Sequence, residues 1–194
     1  MIDAGFDLVH ELDLACLENE PGCERITGRR GILVANTRAL WPIFTAARRA
    51  DPALLASPDP LDAYTERVIS LAYPDARVYF AHRTYDGAFL PFTRIAIAAG
   101  LGALGANQLV IHPIYGPWFG LRALIALDEP ARAAPSRLSY RCTGDCAARL
   151  DHALASTNWR DWLAARDACC VGRAYRYSDG QIAYHYTKDL ALLP

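Results

Sequence analysis

The sequence predicts an α+β protein. Strand-like runs at 31–36, 77–82, 107–112 and 121–127 are interspersed with amphipathic stretches, without the regular β–α alternation of a doubly wound parallel sheet. The last two runs are joined by the turn-rich Pro113-Ile114-Tyr115-Gly116-Pro117, a connection short enough for neighbouring strands. A length of 194 residues, 53% of them hydrophobic, supplies one sizeable core, so a single domain over 1–194 is expected.

The elements follow in order. Phe6, Val9, Leu12, Cys16 and Leu17 stand among acidic neighbours at helix-like spacing, predicting an amphipathic helix over 2–17. The apolar run 31–36 reads as a buried strand, and 37–50 as a helix that Thr37 caps, with Pro42 near its first turns. Asp59-Pro60 is a helix start with a capping carboxylate before a first-turn proline, and Leu61, Tyr64, Val68 and Leu71 then mark one face. A strand over 77–82 and a helix over 92–99, stopped by Gly100 and Gly102, come next. After the strands at 107–112 and 121–127, helices are expected near 144–155 and 159–168. The aromatic tail 177–186 is expected to dock on the core.

Composition removes several classes of function. A net charge of −1 gives no general field for nucleic acid or anionic membranes. No charged start precedes an apolar run, and no apolar stretch is long enough to span a bilayer. Six cysteines in this length do not make a disulfide scaffold, so reduced thiols and a cytoplasmic location are expected. Charge is unevenly placed: seven acids precede the first basic residue, Arg25. Arg132, Arg137, Arg141, Arg149, Arg160, Arg166, Arg173 and Arg176 crowd the C-terminal third. Such arginines either recognise carboxylate or phosphate, or pair with neighbouring acids on a solvated surface.

Cys142 and Cys146 would share a helix face, yet the cysteines lack the spacing of zinc or iron–sulfur sites. The histidines at 10, 82, 112, 152 and 185 form no HExxH, and no G-x-S-x-G occurs, so no metal is expected. The glycines of 100–105 mimic a dinucleotide fingerprint, but they follow a helix and lead into a strand, the reverse of the required order. The segment 107–122 is different in kind. Pro113 and Pro117 fix its path, Gly116 and Gly120 let backbone approach a flat partner, and Tyr115, Trp118 and Phe119 offer aromatic surface. Core packing and ligand binding both fit that composition.

The run Ile111-His112-Pro113…Gly116…Trp118-Phe119…Arg122 resembles the I-H-P-x-x-G-x-W-F-x-x-R motif of the CblC family of cobalamin-processing proteins. Collinear similarities lie at Asp59-Pro60-Leu61-Asp62, at Trp159-Arg160-Asp161-Trp162 with Arg166-Asp167-Ala168, and at Arg176-Tyr177-Ser178…Gln181…Ala183-Tyr184. The preceding Ala99-Gly100-Leu101-Gly102…Gly105…Asn107 is similar to a run in epoxyqueuosine reductases and reductive dehalogenases, whose iron–sulfur cysteine spacing this chain lacks.

The resemblance implies a nitroreductase-like α+β fold with an antiparallel-rich sheet flanked by helices. It implies binding of base-off cobalamin and removal of its upper axial ligand. Cyanide would leave with electrons from a reduced flavin (FMN or FAD), supplied free or by a flavin reductase partner; alkyl groups would pass to glutathione. On this resemblance Asn107, Gln108, Leu109, Val110, His112, Ile114, Tyr115, Gly116, Trp118 and Phe119 bind the corrin, with His112 beside it rather than on cobalt. Arg149, Arg166 and Lys188 hold the glutathione carboxylates; Lys188 stands where the family has arginine. A homodimer is a further expectation. A flavin reductase without cobalamin, a non-catalytic cobalamin carrier and a protein for another tetrapyrrole are the competing readings.

Overall fold

The computed structural model describes residues 1–131 and 146–194. Cys142 and the arginines at 132, 137 and 141 lie outside these residues. β1 (Leu8–Asp13), β2 (Arg30–Asn36), β3 (Arg77–Phe80) and β8 (Gly120–Leu127) form one antiparallel sheet in the order β1-β2-β8-β3. Between them run α1 (Leu40–Ala50), α2 (Pro52–Ala56) and α3 (Pro60–Ala72). The hairpin of β4 (Thr84–Tyr85) with β5 (Ala88–Phe89), α4 (Phe92–Ala98), and the hairpin of β6 (Ala103–Leu104) with β7 (Val110–Ile111) complete that stretch. The chain ends in α5 (Cys146–Leu154), α6 (Trp159–Asp167) and α7 (Asp179–Thr187). The α+β class and the antiparallel sheet agree with the expectation.

Side-chain alternation sorts the core into two layers. Leu33, Ala35, Leu124 and Ala126 pack with Leu12, Tyr79, Phe92, Ile95 and Val110 on one face. Ile32, Val34, Ala123 and Ile125 pack with Phe44, Leu61, Ile69 and Tyr184 on the other. The central strands β2 and β8 are therefore apolar on both sides, which is why they read as continuous apolar runs. Tyr184 and Leu193 are buried in the second layer, so the aromatic tail docks as expected. Trp118, Tyr177 and Ile182 make a third, smaller cluster with Trp159, Leu163, Tyr175 and Tyr186 around it.

The register contains one irregularity. Val34 pairs with Ala123 but Ala35 pairs with Leu121, so Arg122 is an extra residue in β8. This bulge lets Leu121 pack on the first layer while Ala123 packs on the second.

Four expectations are corrected. The helix over 2–17 is replaced by a turn at Ile2–Ala4, strand β1 and a 3-10 turn at Leu14–Leu17. Gly5 at φ 88 ends the first turn, and the edge of β2 takes β1 as its hydrogen-bonding partner. Leu8, His10 and Leu12 then face inward at period two, while Val9 is exposed. The strand over 107–112 shortens to Val110–Ile111, because Gln108 takes φ 60 in a turn. Asp59 makes no side-chain cap bond, and Leu71, read as part of the packed face of α3, is 75% exposed.

Leu124 is fully buried at the centre of the sheet. Leu124→Ala is expected to lower unfolding free energy by about 2–5 kcal/mol in a denaturant titration.

Candidate functional site

The segment singled out in the sequence is a loop from β7 into β8, and His112 closes it. Its backbone N–H and carbonyl bond the carbonyl and N–H of Gly116, both at 2.9 Å. Its Nδ1 accepts from the backbone N–H of Ile114 (3.1 Å) and of Tyr115 (3.3 Å). A nitrogen that accepts carries no proton, so the ring is the neutral tautomer with its proton on Nε2. Burial, with His10 adding to it, holds the His112 pKa below the usual imidazole value.

Two of the loop's aromatics, Tyr115 and Trp118, are held by rings from the C-terminal segment. Tyr115 meets Tyr175 edge-on at 4.7 Å, and Trp118, 1% exposed, meets Tyr177 at 5.8 Å. Arg166 of α6 donates from Nη2 (2.6 Å) and Nε (3.2 Å) to the Pro117 carbonyl, with Cζ 4.4 Å from the Trp118 ring centroid and 5.1 Å from that of Tyr177. Asn107 is buried; its Nδ2 donates to the Ala165 carbonyl at 3.4 Å and its Oδ1 accepts from the Leu109 N–H at 3.2 Å. The loop is thus fixed to α6 at both ends.

Gly116 was expected to admit a flat partner. Instead a Cβ there would collide with the carbonyl of Val171, and a Cβ on Gly172 would collide with the backbone of Tyr115. Both glycines adopt positive φ, 57 and 75 degrees. Two backbones interlock at this point, and the freedom of Gly116 serves the chain itself.

The outward surface is apolar. Leu104, Leu109 and Ile114 are 47%, 38% and 55% exposed, and Gln108 is exposed beside them. Val110 and Phe119 are buried, and both line a cavity of about 200 Å³ with Thr93, Leu109, Pro117, Leu121 and Arg166. A second cavity, about 270 Å³, shares Phe119 and Arg166 with the first and continues over Gly120, Arg122, Tyr177, His185 and Tyr186.

Of the three side chains expected at glutathione, only Arg166 lines these cavities. Arg149 is exposed on α5, and Lys188 ends α7 at φ 56 with Nζ 5.8 Å from the Tyr184 ring. Lys188 does act with Arg122 and Arg166 on His185, whose pKa burial pushes down to about 2. Arg176 follows the surface-pairing reading, with Asp167 at 2.8 Å and Asp179 at 2.7 Å. Among the described residues no group of histidine, cysteine and carboxylate side chains is arranged to hold a metal ion, and no helix is long and apolar enough to cross a membrane.

Sequence reasoning gave no role to Gly172, placed Tyr177 and His185 only in a tail that docks on the core, and quoted Arg122 and Tyr177 only as members of motifs. Tyr177 and His185 meet each other at 5.5 Å, and their further partners, Trp41 of α1, Trp118 of the loop and Arg166 of α6, lie far away in sequence.

The sheet, its helical layers and the hairpin loop define an α+β protein with an antiparallel sheet flanked by helices. The chain shares its fold with the C. elegans B12-trafficking protein CblC, a human MMACHC homologue: TM-score 0.69 and 15% identity over 95% of this chain and 86% of that one. Epoxyqueuosine reductases are more distant. That of Streptococcus thermophilus aligns with a TM-score of 0.43 and 17% identity over 77% of this chain, which spans about half (49%) of the reductase. That of Bacillus subtilis gives 0.39 and 18% over 76% of this chain and 47% of the reductase. No protein-family model matches the sequence, and no curated protein is similar to it in sequence.

Three outcomes follow from this geometry. Gly172→Ala is expected to cost about 2–4 kcal/mol in thermal or denaturant unfolding, through left-handed strain and the backbone collision. Gly180→Ala, with nothing within 4 Å of its Cβ in the first turn of α7, is expected to be neutral or stabilising by up to about 1 kcal/mol. His112 and His185 both bind protons more weakly folded than unfolded. Their contribution is complete above the unfolded imidazole pKa of about 6.5 and is lost as pH falls below it. The thermal midpoint should fall from about pH 6.5 downwards, and His185→Gln should flatten that fall.

Proposed function

We propose that the chain is one cobalamin-handling domain that binds base-off cobalamin as its substrate and removes the upper axial ligand. The observation that carries this reading is the position of the I-H-P…W-F…R segment. It forms the braced, outward-facing loop of a chain whose fold is that of a B12-trafficking protein. In this reading Leu109 and Ile114, joined by Leu104, lie against the apolar edge of the corrin, and exposed Gln108 meets its amide side chains. Asn107, Val110, Tyr115, Gly116, Trp118 and Phe119 hold the loop in shape. They act on the substrate through the loop rather than by facing it.

His112 lies beside the corrin. Its Nδ1 is engaged by two N–H groups and its Nε2 carries the proton, so neither nitrogen offers a lone pair to cobalt in this tautomer. A reduced flavin, FMN or FAD, supplies electrons for decyanation, and glutathione takes an alkyl group, with Arg166 on the thiol side and Arg149 and Lys188 as the outer pair. The protein's part is to bind, orient and exclude water.

The described trafficking role of the neighbour favours a second reading, a carrier that binds without turnover. Hydroxocobalamin added anaerobically to excess protein is expected to move its visible spectrum towards the base-off form; an unchanged spectrum overturns cobalamin binding. A processing enzyme then releases cyanide from cyanocobalamin with reduced flavin, or forms S-methylglutathione from methylcobalamin. A carrier shifts the spectrum and does neither.

A further inference from the structure

Two segments far apart in sequence close a further cavity, of about 430 Å³, that neither the corrin nor the glutathione reading uses. One is the turn into α1. Asp7 accepts from the N–H (2.7 Å) and Oγ1 (2.5 Å) of Thr37, and Thr37 Oγ1 accepts from the Ala39 N–H at 3.2 Å. These bonds fix the path on which Arg38, Trp41 and Pro42 reach the cavity. The other segment is the start of α7. There Ser178 Oγ accepts from the Gln181 N–H at 3.3 Å, and Arg176 is tied to Asp167 and Asp179. Arg176, Ser178 and Gln181 line the cavity from this side.

Three groups here are left without a match inside the protein. Gln181 is 2% exposed, yet its side-chain amide makes no hydrogen bond with a described residue and borders the cavity. A buried amide carries donors and an acceptor side by side, and leaving them unmatched is unfavourable unless a ligand supplies the complement. Trp41 packs its ring on Phe44 (5.9 Å) and Tyr184 (5.6 Å), and its remaining surface lines the cavity next to Pro42. Arg38 is exposed at the rim and forms no ion pair with a described residue. The neighbouring acids are engaged elsewhere: Asp7 by Thr37, and Asp167 and Asp179 by Arg176.

We infer that this cavity binds a planar nitrogen heterocycle whose edge sets a donor beside an acceptor and whose anionic substituent reaches Arg38, as in a mononucleotide. Gln181 reads the edge with its paired donor and acceptor, the geometry by which a glutamine amide recognises adenine. Trp41 and Pro42 cover the ring, a contact that tolerates any flat base. Arg38 meets the phosphate at the rim, where a guanidinium fork suits its oxygens. A volume of about 430 Å³ is that of a small-molecule site. The inference stands apart from the corrin reading, since it uses no residue of the loop and none of the two cavities beside Arg166.

Calorimetric titration of the whole chain with adenosine monophosphate, and separately with nicotinamide mononucleotide, tests it. One saturable site is expected for at least one of them. The adenine nucleotide alone identifies a purine edge, the nicotinamide nucleotide alone a carboxamide edge, and both a general donor–acceptor edge. Gln181→Leu removes an unmatched buried amide, so its thermal midpoint should equal or exceed the parent's while binding weakens roughly tenfold or more. Arg38→Gln, at an exposed position, should weaken the nucleotide several-fold and leave the unphosphorylated nucleoside unchanged. Arg49→Gln, exposed at the end of α1, should leave binding as it is. Absence of saturable binding for both nucleotides overturns the site. Equal binding by the parent and Gln181→Leu does so too, as does a loss in Arg49→Gln matching that in Arg38→Gln. None of these results alters the corrin spectrum test.

Discussion

Where the loop after β7 crosses the segment after α6, two main chains touch with no side chain between them. Gly116 meets the Val171 carbonyl and Gly172 meets the Tyr115 backbone, each glycine in a conformation that other residues adopt only with strain. Everything around the candidate site is referred to that contact. It sets Tyr115 against Tyr175 and brings Trp118 down onto Tyr177. It also leaves Arg166 where its guanidinium can cap the Pro117 carbonyl and stack on Trp118. The sheet supplies a rigid floor, but the interlock decides which face of the loop looks outward.

The same arrangement separates two kinds of surface. On the outward side, Leu104, Leu109 and Ile114 remain exposed, an arrangement suited to a large apolar ligand. On the inner side, Phe119 and Arg166 line both cavities. Arg166 therefore does two jobs in one position. It braces the loop through hydrogen bonds and ring contacts, and it brings positive charge to the edge of both cavities. A lysine there would keep the charge but lose the planar fork and the stacking.

Neutral histidines run through this design. His112 must stay unprotonated at Nδ1 for two loop N–H groups to be satisfied, and burial, helped by the charges of Arg122, Arg166 and Lys188, holds the His185 pKa down. Acid weakens both for the same reason: the unfolded chain takes up protons that the folded chain refuses.

Much of the fold was legible from local pattern. The apolar runs of β2 and β8, the Asp59-Pro60 start of α3 and the docking of 177–186 reflect signals that neighbouring residues carry by themselves. The importance of 107–122 was equally visible, because prolines, glycines and aromatics at that density constrain a chain whatever surrounds it. Three things were not visible, and each depends on partners far away in sequence. β1 became a strand because β2 had an open edge to fill, overriding a helical spacing. Gly116 received its partner from Val171 and Gly172, so its purpose could not be read from the loop. Arg122 acquired its cavity because the bulge between β2 and β8 displaced it from the strand's alternation, and a register is a property of two strands rather than one. Sequence by itself determined most of the elements and which loop is special; tertiary structure decided what that loop presents and which distant partners hold it, because those contacts belong to pairs of segments rather than to one.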